Sequence, residues 1–209
     1  MGTQIKKCAV ISGAPEENLS YYGKYLNDRY IICADSGYKK CLRFGASPDL
    51  IIGDFDSSEC PNSDCELITL NSRKDYTDTF HCVMEAVERG YNDIVILGGI
   101  GSRLDHTYSN ILSVVYCFER NIVCSLVNEK NVLCIVSGET VIKKGDFKYF
   151  SLFALFEKCE GLSISGAEYN LDGVDIEPSQ QFTQSNEFKE DEVKIVIKKG
   201  KIILILSND

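Results

Sequence analysis

The grammar of the chain changes near residue 128, and that change limits the fold more than any other feature. Before it, short apolar runs at residues 8 to 13 (CAVISG), 30 to 34 (YIICA), 49 to 53 (DLIIG), 67 to 70 (LITL), 93 to 98 (DIVILG) and 122 to 127 (IVCSLV) read as buried strands, several of them at helix-length spacing. The clearest intervening helix follows Thr77, where Phe80, Val83, Met84 and Val87 recur at i, i+3, i+4 and i+7 and Gly90 is placed to end it. Another helix is predicted over residues 106 to 119. Strands alternating with helices predict an α/β domain over residues 1 to 128 with a mostly parallel, Rossmann-like sheet, which binds ligands at the carboxyl ends of its strands. Over residues 129 to 209, runs such as VLCIVSG, ETVIKK, YFSLFALFE, VKIVIKKG and KIILILS are strand-like, separated by turn residues and without helical period. They predict a smaller all-β sandwich domain of two packed sheets, with the last two runs forming a hairpin about Lys199, Gly200 and Lys201. The polar stretch from Gln180 to Asp191 is predicted to be looped.

Two small cores suit a chain of 209 residues that is 44% hydrophobic and 25% charged. A net charge of −9 argues against a general nucleic-acid or anionic-membrane surface, since either partner needs a basic field. An anionic substrate would therefore need local positive charge or a metal. No run approaches the about 18 apolar residues of a spanning helix, and MGTQIKKCAVISG leads straight into a strand-like segment without a signal-peptide pattern, so a cytoplasmic protein is expected. None of the ten cysteines falls in a CxxC pair, and Cys8, Cys33, Cys82, Cys117, Cys124 and Cys134 lie inside apolar runs. They read as reduced, small core residues, in agreement with a reducing compartment.

The acidic motifs fall where such a sheet would hold a site. IIGDFDSS (51 to 58) sets Asp54 and Asp56 behind an apolar run, so that a strand delivers two carboxylates into the loop at its end. A DxD of this kind suits magnesium, held directly or through water, and equally a solvated acidic turn. RKDYTDT (73 to 79) gathers Lys74, Asp75, Thr77 and Asp78 at the start of the clearest helix, a position that favours anions but where Thr77 or a carboxylate also serves as an ordinary cap. GGIGSRLDHT (98 to 107) follows a strand with a glycine loop ending in Arg103 and Asp105. Arginine grips phosphate with paired hydrogen bonds, while Asp105 also suits a helix cap and His106 reads as a helix-start residue. ADSG (34 to 37) brings Asp35 and Ser36 to the same edge, as a nucleotide contact or a simple turn. Carboxylates with an arginine at one sheet edge suit a hard cation holding a polyphosphate, the setting of phosphoryl-type transfer.

In this order and at these intervals, ADSG, GDFDSS, KDYTDT and GSRLDHT resemble the motif series of the thiamine pyrophosphokinase family, over most of the chain. The resemblance implies an α/β catalytic domain followed by a β-sandwich domain, and transfer of a diphosphate from ATP to the hydroxyethyl group of thiamine, giving thiamine diphosphate and AMP, with Mg2+ bridging phosphate oxygens. It implies that Asp54, Asp56 and Asp78 organise magnesium and the triphosphate. Asp35, Ser36, Lys74, Thr77 and Arg103 would lie against ATP, Arg103 holding phosphate, and Asp105 would assist the metal or the attacking hydroxyl. GAEYNL (166 to 171) and QSNEF (184 to 188) resemble the family's thiamine segments, which makes Tyr169, Ser185 and Asn186 candidates there. An aromatic face suits a flat cation, and a hydroxyl and an amide can read an aminopyrimidine edge, although Tyr169 reads equally as a strand residue packing its neighbours. The family commonly forms homodimers, with thiamine sites between one subunit's catalytic domain and the other's β domain, and a homodimer is expected here. Some relatives have tryptophan where Tyr169 stands and glutamine where Lys74 stands.

Three other readings compete. A related pyrophosphokinase would keep ATP and accept another alcohol, a pterin type being the nearest. A haloacid-dehalogenase phosphatase would use the first aspartate of DxD as nucleophile, but that class opens its core with the motif, whereas IIGDFDSS follows the third strand. A catalytically silent thiamine or nucleotide sensor would bind without turnover, and the retained carboxylates weigh against it.

Overall fold

The computed structural model describes residues 4–16, 18–55, 65–101 and 103–209, and the chain divides into two compact units, Met1–Glu129 and Lys130–Asp209. In the first, β1 (Lys7–Ile11), α1 (Tyr22–Leu26), β2 (Tyr30–Ala34), α2 (Gly37–Phe44), β3 (Leu50–Gly53), β4 (Glu66–Thr69), α3 (Asp78–Glu88), β5 (Asp93–Leu97), α4 (Leu104–Phe118) and β6 (Val123–Val127) follow one another. The strands lie in the order β6-β5-β1-β2-β3-β4, and each adjacent pair is parallel. Continuous apolar runs such as AVI, IICA and IVIL form the central strands because helices cover a parallel sheet, and Ala9, Val10, Ile32, Ile51 and Ile96 are fully buried. From β1 the chain winds outward through β2, β3 and β4, then returns to the far side of β1 for β5 and β6. The direction of winding thus reverses between β1 and β5, which opens a crevice at the carboxyl ends of those strands.

The helix after Thr77 forms as predicted, but turned from its predicted face. Its buried residues are Thr79, Cys82, Val83 and Ala86, so that Val83 alone of the Phe80, Val83, Met84 and Val87 stripe is buried and the others are half-buried. Small side chains let α3 lie close against β1, β2 and β3, while Phe80 packs its ring between Tyr76 (5.1 Å) and Tyr116 of α4 (5.0 Å). Gly90, at φ 80°, closes the helix by donating its amide to the Val87 carbonyl. Gly37 begins α2 hard against β1, where a Cβ would stand 2.2 Å from the Ile11 carbonyl oxygen.

The second unit holds β7 (Asn131–Val136), β8 (Glu139–Lys143), β9 (Tyr149–Ala154), β10 (Cys159–Ser165), β11 (Leu171–Ile176), β12 (Asn186–Glu187), β13 (Glu192–Val196) and β14 (Ile202–Ser207). One antiparallel layer runs β12-β9-β14-β7 and the other β11-β10-β13-β8. Phe150, Leu152, Ile202 and Leu204 of the first meet Leu162, Ile164, Val193 and Ile195 of the second in one core, the expected sandwich. The C-terminal hairpin is not formed. β13 pairs with β8 and β10, whereas β14 pairs with β7 and β9 in the opposite layer. The KKGK turn therefore carries the chain from sheet to sheet. Gly200, at φ 103°, passes so close to Cys159 that a Cβ would lie 3.0 Å from its Cα. Residues 180 to 191 are largely loop, with the two-residue β12 inside them.

Candidate active site

At the crevice between β1 and β5 lies a cavity of about 340 Å³. Its walls come from Ser12, Gly13, Ala14 and Pro15 after β1, Asp35 and Ser36 after β2, and Gly99 and Gly101 after β5. Asp78 and Thr79 open α3 onto it, and Arg103, His106 and Asn110 reach it from the start of α4. The N-termini of α2, α3 and α4 thus converge on one space, each with amide donors that its own helix leaves unpaired and a dipole that favours negative charge.

Small hydrogen bonds fix these walls. The hydroxyls of Ser12 and Thr79 share a hydrogen bond of 2.8 Å, and Asn110 donates Nδ2 to the Gly99 carbonyl at 2.7 Å. Buried Lys40, on α2, donates to the Ser12 carbonyl at 2.7 Å and stands 3.7 Å from the Glu16 carboxylate, which accepts from the Tyr21 and Tyr22 hydroxyls. Burial pulls the Lys40 ammonium below its usual pKa and Glu16 opposes the shift. Asp35 (φ 39°) and Phe55 (φ 52°) hold left-handed backbone at the ends of β2 and β3. That conformation costs roughly 1–2 kcal/mol for a residue with a Cβ and is commonly retained at functional sites.

Beside the cavity, carboxylates from two elements share one cation. Lys74 Nζ donates to Asp54 Oδ2 at 2.7 Å and to Asp78 Oδ1 at 2.5 Å, joining the end of β3 to the start of α3. Burial presses the Lys74 pKa down, but the two carboxylates outweigh it and hold the ammonium above its ordinary value. Asp56 lies outside the described residues. Among the described residues no group of three or more His, Cys, Asp or Glu side chains is gathered to hold a metal. Magnesium nevertheless commonly takes one or two carboxylates, completing its shell with water and phosphate oxygens. Asp54 and Asp78, already converging on a positive charge, fit that demand.

The remaining motif residues divide between the cavity and supporting roles. Arg103 lines the cavity and donates Nη2 and Nε to Asp105 at 2.7 and 3.2 Å. Asp105 is exposed and absent from the lining; Arg103 holds its carboxyl below the usual range. Thr77 caps α3, accepting from the Phe80 amide at 3.2 Å. Asp75 is exposed.

Two family models match successive stretches of the chain. The sequence model described as "Thiamin pyrophosphokinase, catalytic domain" matches residues 22–126, and that described as "Thiamin pyrophosphokinase, vitamin B1 binding domain" matches residues 139–202. The chain belongs to the thiamine pyrophosphokinase family. It is 28% identical to thiamine pyrophosphokinase of Bacillus subtilis (strain 168), across 98% of this chain and 100% of that one. Similarity to thiamin pyrophosphokinase 1 of Caenorhabditis elegans is 25% identity over 76% of this chain and 71% of the relative. The crystal structure of the Bacillus subtilis thiamine pyrophosphokinase superposes with a TM-score of 0.90 at 25% identity, covering 98% of this chain and 100% of that chain. Neither the phosphatase nor the sensor reading is favoured by these matches.

The stretch matching the vitamin B1 binding domain of the pyrophosphokinases contains the second group of sequence candidates. Tyr169 is 70% exposed, and buried Asn186 holds its backbone, accepting from the Tyr169 amide at 3.0 Å and donating to its carbonyl at 2.8 Å. Asn186 thereby sets the loop that presents the ring. Ser185, at φ 56°, is exposed beside it and donates its amide to Ser151 Oγ. The sequence reading missed Ser12 to Pro15, Thr79 and Asn110 as cavity residues; the only signal for the first group was the small, turn-forming SGAP that follows a buried strand.

Proposed function

We propose that this protein transfers the diphosphate of ATP to the hydroxyethyl oxygen of thiamine, yielding thiamine diphosphate and AMP. The observation that carries the reading is the meeting of three helix N-termini, Arg103 and Asp78 around one crevice, with Lys74 tying Asp78 to Asp54 beside it. Arg103 and the amides opening α2 and α3 would bind phosphate oxygens, with the Ser36 and Thr79 hydroxyls as further donors. Asp54, Asp56 and Asp78 would hold Mg2+, whose chemistry when bound is to neutralise charge on the phosphates. The thiamine hydroxyl attacks the β-phosphorus, the bond to the α-phosphate oxygen breaks, AMP departs and the hydroxyl proton passes to a carboxylate of this group. Asp105 is held by two hydrogen bonds from Arg103 and stands outside the cavity lining. Its fitting role is to orient Arg103. Tyr169, presented by Asn186 with Ser185 alongside, would stack on thiamine.

The reading extends to a homodimer in the cytoplasm. Leu104, Tyr108 and Leu112 form an exposed apolar stripe on α4 (78, 53 and 40% exposed), of the kind a partner subunit covers. Reduced, buried thiols support a reducing compartment, and among the described residues no helix is long and apolar enough to cross a membrane. Light scattering checks the dimer. For the reaction, ATP, Mg2+ and thiamine are incubated with the protein, with thiamine-free and EDTA controls. Equal, metal-dependent formation of AMP and thiamine diphosphate is expected. ADP with thiamine monophosphate would replace diphosphate transfer by single phosphoryl transfer, and AMP formed only with a pterin-type alcohol would reassign the acceptor.

A further inference from the structure

Lys74 holds the oxygens that a metal would need. Its ammonium touches Asp54 Oδ2 at 2.7 Å and Asp78 Oδ1 at 2.5 Å, and all three side chains are partly buried. A divalent cation bound to those oxygens would face an ammonium at contact distance, so the metal and the lysine compete for them. Asp78 also lines the cavity, so an ammonium released from it remains within reach of a polyphosphate there.

We propose that Lys74 is a positioning residue that acts as an exchangeable counter-ion, yielding Asp54 and Asp78 to magnesium and turning to the incoming phosphate oxygens. The proposal rests on the pyrophosphokinase reading. Metal alone must expel an ammonium that then has no anion to meet. Polyphosphate alone meets a lysine already engaged and carboxylates that repel it. Arriving together, they permit an exchange of partners in which every charge stays paired, so each ligand strengthens binding of the other. The lysine thereby disfavours loading by free metal or free nucleotide.

The test measures metal and nucleotide binding separately, independently of turnover. Mn2+ is titrated into the nucleotide-free full chain by calorimetry for wild type, Lys74→Gln and Lys74→Arg. A non-hydrolysable ATP analogue is then titrated with Mn2+ present. Lys74→Gln is expected to bind Mn2+ at least about ten-fold more tightly and the analogue about ten-fold more weakly, while Lys74→Arg stays within about three-fold of wild type for Mn2+. Opposite shifts are the signature, because mere structural damage weakens both. Equal or weaker Mn2+ binding in a folded Lys74→Gln protein overturns the proposal. If that variant does not fold, wild type decides. Acetylation of Lys74 by acetic anhydride, read by peptide mass spectrometry, should rise at least about three-fold without nucleotide at a Mn2+ concentration that calorimetry shows to load the site, and an unchanged rate in the loaded protein overturns the proposal. Absence of any bound-Mn2+ resonance signal in wild type with the analogue present removes the metal reading itself, and this proposal with it.

Discussion

Asp78 joins more parts of the site than any other described residue, as it opens α3, lines the cavity and shares Lys74 with Asp54. Asp78→Asn keeps the shape and removes the charge. Turnover should fall at least about 100-fold, as for loss of a charged group that acts in the transition state, while stability drops by only about 1 kcal/mol for the lost helix-terminal carboxylate. AMP formation and a urea melt measure the two, and normal turnover would take Asp78 out of the mechanism. Asp105 makes the contrasting case. If it only orients Arg103, Asp105→Asn should raise the KM for ATP by about ten-fold and leave kcat within about three-fold. A collapse of kcat at unchanged KM would instead make Asp105 a proton acceptor. These residues were legible in the sequence because their chemistry is carried in the side chain. Gly13 and Ala14 were not, because they contribute backbone and close approach, nor was Ser12, whose hydroxyl partner Thr79 is 67 residues away, and only the return of β5 beside β1 gives them a site to line.

Helix α3 links this chemistry to the fold through its first turn. Thr77→Ala removes the acceptor for the Phe80 amide and should cost about 1 kcal/mol, with Thr77→Ser restoring most of it, as read by chemical denaturation. Activity adds a second reading: a KM for ATP that rises in Thr77→Ala and recovers in Thr77→Ser would show that the cap hydroxyl also meets phosphate. The start of this helix was legible from the capping pattern, but its buried face was not. Periodicity counts apolar residues, whereas the sheet beneath α3 selected the small Thr79, Cys82 and Ala86 and left Phe80 to neighbouring rings. The misread hairpin has a similar origin. Two apolar strands joined by KKGK look alike whether they pair or separate, and the sandwich requires each layer to supply one of them. Local sequence therefore fixed the strands themselves while leaving their partners open.

At the scale of the whole molecule, the cysteines make a prediction that the acidic residues do not. Burial pushes the Cys8 thiol from 9.0 to about 12 and Cys134 to about 11. Cys33 is also raised, first by its hydrogen bond with Cys41 and then by burial, and Cys82 by burial. Between pH 9 and 11 the unfolded chain loses these protons while the folded chain keeps them, so stability that is fully present below pH 9 is lost as pH rises toward the folded values. One such thiol removes roughly 1.4 kcal/mol per pH unit, and Cys8, Cys33 and Cys82 act in the same direction within the first unit. Against typical stabilities of about 5–15 kcal/mol, a loss of that size from even one thiol is measurable. Half-buried Tyr21 and buried Tyr22 are raised as well and add to the loss at higher pH. Two groups oppose it. Cys41, lowered by its hydrogen bond with Cys33, adds stability as pH rises toward 9. Lys40, with its folded pKa lowered by burial, leaves the unfolded state binding more protons up to pH 10.5 and so stabilises as pH rises. The raised thiols outnumber them. The chain has no tryptophan, so urea unfolding would be followed by far-ultraviolet circular dichroism at pH 7, 9, 10 and 11 under reducing conditions. A falling midpoint above pH 9 is expected, with Cys8→Ala flattening the slope by roughly 1.4 kcal/mol per pH unit. A midpoint constant from pH 9 to 11 would mean that these thiols ionise as readily in the folded protein as in water.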